Sequence, residues 1–197
     1  MKTHRFATHS PEEQRQLSNM GHWIEGGLLA VVGFLALLNN GTGAAWAGVV
    51  WPILLLVAGI LLLILIYPRH PRVDWSSIWN DSQQRQHTIM ALAIIVAGAA
   101  ELAGWKLIWP LATLMFGAMF LTHTQHGQSD AVSRAVLIHR ILGITLILAG
   151  LLNLAGNISD IAVIATLWPI VLLAAAAQLL IYREPEAAFE AHHGHEE

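Results

Sequence analysis

The sequence predicts an all-α integral membrane protein with six transmembrane helices arranged as three repeated αα-hairpins. Composition, six apolar segments of membrane-crossing length, and a recurring histidine register support this expectation. Of the 197 residues, 55% are hydrophobic and 12% charged, and mean hydropathy is +0.56. A soluble domain carries about twice that share of charge. The lipid bilayer is therefore the expected solvent. A net charge of −3 gives no reason to expect a nucleic-acid partner. There is no cysteine, so disulfides and thiolate metal sites are excluded and any soft ligand must be methionine.

The first 21 residues are polar, with Pro11 and Glu12-Glu13, and read as a cytoplasmic tail rather than a cleavable signal. Apolar segments then run over about 22–39, 46–67, 87–104, 107–124, 137–154 and 161–182. Each is close to what crosses a bilayer of about 30 Å at 1.5 Å per residue. The hairpin units are 22–67, 87–124 and 137–182, together forming a membrane domain over 22–182, and 183–197 is a His-rich tail. Short, nearly uncharged connectors alternate with longer polar ones. Trp75, Ile78 and Trp79 in the second connector have the spacing of a short surface helix. Six spans put both termini on one side. Nine basic residues share it (Lys2, Arg5, Arg15, Arg69, Arg72, Arg85, Arg134, Arg140 and Arg183), and Lys106 lies opposite. The positive-inside rule makes that side cytoplasmic, and a bacterial inner membrane is the expected location.

The chain repeats itself. Gly33, Gly98 and Gly150 each follow His22, His87 and His139 by eleven residues, and Trp51-Pro52, Trp109-Pro110 and Trp168-Pro169 follow in turn. From His to Trp the distance is 29, 22 and 29 residues, so the middle unit is shortened between its helices. Repeats of this kind meet at a shared axis and form sites where they meet. The plainer reading of Trp-Pro is a packing device.

All eleven histidines fall on the expected cytoplasmic side. His22, His87 and His139 open outward-running spans, where the positive end of the helix dipole favours the neutral, ligating ring. His123 and His126 descend to the same depth. Met115, Met119 and His123 are four residues apart, on one helical face. Met20 and Met90 also neighbour histidines. Thioether and imidazole without thiolate suit a copper ion, Cu(I) above all. Against this, methionine also serves as apolar filler and histidine as an interfacial residue. His192, His193 and His195 in the tail form a tract of the kind that binds metal flexibly. Glu25, one turn deeper than His22 on the same face, is a candidate to orient that imidazole, to ligate directly or to lie on an ion pathway. Glu101, toward the far face, is another ion-pathway candidate, with Asn153 at the equivalent position of the third unit.

His139-Arg140-Ile-Leu-Gly143, with histidine-bearing ends on neighbouring spans, resembles small b-type membrane cytochromes and, more loosely, the copper resistance protein D family, over about residues 87–182. The resemblance implies haem b ligated by His139 with His87 or His123. Because the histidines lie on one side only, it implies one haem rather than two. No phosphate loop, HExxH pair or serine elbow is present, so no catalytic residue is assigned. Three functions follow as expectations: copper-type metal handling, single-haem electron transfer, or an accessory role beside partner subunits in a larger membrane complex.

Overall fold

The computed structural model describes residues 11–66, 82–122, 130–159 and 161–185. Among them are six helices: α1 (Pro11–Thr42), α2 (Ala45–Ile66), α3 (Ser82–Leu102), α4 (Ile108–Thr122), α5 (Asp130–Ser159) and α6 (Ala162–Ile181). Four contain stretches long and apolar enough to cross a membrane: Arg15–Thr42, Ala45–Leu65, Val132–Ser159 and Ala162–Ile181. The described part of α4 is apolar but short, and α3 opens on the polar run Ser82-Gln-Gln-Arg-Gln.

Helix α1 starts eleven residues before the expected span. Pro11 suits a first helical position, Glu12 and Glu13 complement the dipole in the first turn, and Glu12 accepts hydrogen bonds from Gln16 and Arg15. Those bonds, Gln16 first and Arg15 second, hold the Glu12 carboxyl below its ordinary pKa. Helix α5 likewise begins seven residues early, at Asp130. Apolar length marks where a helix enters lipid, whereas helix propensity and end charge mark where it begins. The surface helix expected around Trp75 and Trp79 lies outside the described residues.

Each helix packs against its neighbours in sequence, and α6 returns to α1, closing a ring. The tightest contacts are α4 on α5, α2 on α3 and α6 on α1. Glycine permits them. A methyl group added at Gly98 would lie 2.8 Å from the Pro52 carbonyl oxygen, at Gly150 3.0 Å from that of Pro110, and at Gly33 3.3 Å from that of Pro169. One layer away, Gly59 meets Ala91, Gly117 meets Gly143, and Gly26 meets Ala176. With lipid outside, close van der Waals approach through small residues is what draws helices together. The outward surface is correspondingly apolar: Phe34, Ile60, Ile144 and Val163 are all exposed. Such a surface suits contact with a lipid bilayer.

Trp51, Trp109 and Trp168 are buried in the middle of the ring, with Trp51 centred 6.3 Å from Trp109 and 6.0 Å from Trp168. Pro52, Pro110 and Pro169 beside them are fully buried. Pro52 and Pro169 sit inside α2 and α6. Pro110 falls in the first turn of α4, where a missing N–H is harmless.

Candidate functional site

The end of the bundle where α1 begins and α6 finishes holds a narrow cleft of about 40 Å³. His22 from α1, His87 from α3 and His139 from α5 all line it. These are the three histidines that share one position in the repeat. Met90 and Met119 line it as well, and Glu25 stands at its floor, bordering an apolar cavity of about 80 Å³ further along the axis.

The rings are close. His22 and His139 have centroids 6.3 Å apart, and Tyr182 meets both edge-on at 4.8 and 4.9 Å. Phe120 stacks on His139 at 5.8 Å. His139 is buried, and its Nδ1 lies 2.8 Å from the Ala135 carbonyl oxygen. A carbonyl only accepts, so Nδ1 carries the proton and, in the neutral ring, Nε2 carries the lone pair. Metal-ligating histidines are commonly oriented in this way.

The dipole expectation needs correction for all three. His22 lies eleven residues into α1, His139 nine into α5 and His87 five into α3, whereas the dipole acts within about one turn. The Ala135 hydrogen bond and aromatic packing orient the His139 ring instead.

Two groups that spacing did not single out belong to this end: Tyr182, packed on two of the histidines, and Glu184, which lines the cleft. Tyr182 caps α6 through its backbone N–H to Gln178. Glu184, also buried, accepts from Ser18 Oγ at 3.2 Å, and its N–H donates to Asn19 Oδ1 at 2.8 Å. The chain after α6 is thereby fastened to the start of α1. Neither residue shares the histidine register: Tyr182 is the last residue of the expected sixth span and Glu184 lies just beyond it. Arg183 turns outward over the Trp23 ring, 4.4 Å from its centroid.

Other candidates are placed differently. Met115 is half-buried against the core rather than in the cleft, and Met20 faces outward. Glu101 is buried at the opposite end, ion-paired with Lys106 at 2.9 Å, so it shares no site with the histidines. His123, His126, His192, His193 and His195 lie outside the described residues.

Among the described residues, no three His, Asp or Glu side chains already form a metal-holding group. Two imidazoles bound to one ion need ring centres within roughly 6 Å, given nitrogen–metal bonds of about 2 Å. His22 and His139 are near that limit. The cleft has the volume of an ion with a few waters and falls well below the roughly 300 Å³ where organic cofactor sites begin. The residues therefore fit an ion better than a haem.

No protein-family model, curated protein or solved structure matches this chain.

Proposed function

We propose that the chain is a membrane metal-handling protein that binds a copper-type ion at the histidine end of the bundle. The observation that carries this reading is the convergence of His22, His87 and His139 with Met90 and Met119 on one ion-sized cleft. Imidazole and thioether together favour Cu(I) over hard cations. His22 and His139 stand near the spacing one ion needs, with His123, His126 and the tail histidines as further candidate donors. Titration of the purified chain with Cu(I) under reducing conditions, followed by elemental analysis, tests it. Retention of about one copper per chain supports the reading, and failure to retain any overturns it. A Soret band would instead favour the single-haem function implied by the cytochrome resemblance. A sample with neither metal nor haem would favour an accessory subunit.

We also infer that all six helices cross the membrane, as hairpins α1–α2, α3–α4 and α5–α6. The recurring glycine-to-proline contacts support this, since each odd-numbered helix meets the preceding even-numbered one around the ring in the same way. The nine-to-one basic asymmetry supports cytoplasmic termini in a bacterial inner membrane. Reporter fusions at the C-terminus test that orientation, and an external reporter would reverse it.

A further inference from the structure

The end opposite the histidines contains a larger space, about 410 Å³, and the shortened middle hairpin explains its existence. Helices α1 and α5 run nine residues beyond Gly33 and Gly150, while α3 stops four beyond Gly98. Helices α2 and α6 begin six residues before their tryptophan, α4 only one before Trp109. The middle hairpin thus ends about five residues lower, roughly 7 Å of helix. A vestibule opens above it, between the two taller hairpins.

Its chemistry differs from that of the cleft. Trp51 and Trp168 line it, Asn153 is buried in its wall, and the Glu101 carboxylate is 4% exposed. Asn40 and Asn157 border it while donating to the backbone oxygens of Ala165 at 2.6 Å and Lys106 at 2.9 Å, which fixes its walls. None of its lining residues is a histidine. One carboxylate with neutral amides is a poor set for a transition metal, and the volume is that of a small organic ligand. A buried carboxylate near indole rings is suited to an organic cation. The protein already seats one there: the Lys106 ammonium lies 2.9 Å from Glu101 Oε2, on a side chain 56% exposed. The ammonium of this pair is open to solvent, so a competing cation can reach the same carboxylate.

We propose that this vestibule binds a small organic cation whose primary ammonium takes the place of Lys106 on Glu101. Lys106 is then a tethered competitor rather than a binding residue. The proposal is independent of the metal reading, since Glu101 and the histidine cleft lie at opposite ends of the ring.

Equilibrium dialysis of the detergent-solubilised full chain against labelled 1,4-diaminobutane, with 1,4-butanediol as the neutral counterpart, tests it. Lys106→Ala should bind the diamine about threefold more tightly than the unaltered chain, the scale of a partly exposed ion pair. Glu101→Gln should bind it at least about tenfold more weakly. The diol should not be retained. Unchanged or weaker binding by Lys106→Ala overturns the proposal, as does equal retention of the diol, or no diamine binding by either the unaltered chain or Lys106→Ala. Lys106 is on the surface, so its variant keeps the test valid even if Glu101→Gln does not fold.

Discussion

The Nδ1–H of His139 donates to the carbonyl oxygen of Ala135, 2.8 Å away and one turn earlier on α5, which turns the lone pair of Nε2 away from that bond. A ring held this way loses little freedom on binding an ion. Substituting Ala at 139 should weaken Cu(I) binding by at least about tenfold, since even disturbing a ligand's supporting hydrogen bond has effects of 10–100-fold. Helicity by circular dichroism should be unchanged. Competition against a chromogenic Cu(I) chelator measures the loss.

Met119→Leu separates soft from hard coordination. Leucine keeps the apolar volume at this half-buried position and removes the thioether, so Cu(I) affinity should fall while Zn(II) affinity stays within about twofold. An equal effect on both ions would show that Met119 acts by packing.

Gly117→Ala should loosen the α4–α5 contact. The added methyl would stand 2.7 Å from the Gly143 carbonyl oxygen and 2.6 Å from Ile147 Cγ1, and backbone cannot step aside as a flexible side chain does. A loss of about 1–3 kcal/mol is expected from such overpacking. Gly21→Ala, with nothing within 4 Å of the new methyl, should stabilise by roughly 0.5–1 kcal/mol through helix propensity. Thermal unfolding in detergent reads both.

Asn19→Ala should free the chain segment after α6. It removes the acceptor of the Glu184 N–H, a loss of about 0.5–1.5 kcal/mol. Hydrogen exchange at the Glu184 amide should quicken by up to about tenfold, without change at the core amides of α6.

Much of the candidate site was visible before folding. The shared offset of His22, His87 and His139 marks them as one set, and the apolar runs make them helical. Met119 was legible through helical spacing, four residues before His123 in the sequence. Met115 shows the limit of spacing: it shares that helical face, yet its depth leaves it packed against the core.

Local features follow from residue order alone: the all-helical class and the histidine register, because helix formation depends on apolar length, propensity and a 3.6-residue period within one segment. Features that depend on several segments at once come from how the helices pack. Tyr182 reaches two histidines because α6 returns beside α1 to close the ring, and Glu184 is buried because Ser18 and Asn19 lie opposite. Glu101 gains Lys106 and a vestibule because the middle helices end below their neighbours. A difference in helix ends can be counted in the sequence, but the space it leaves depends on how neighbouring helices are packed around it.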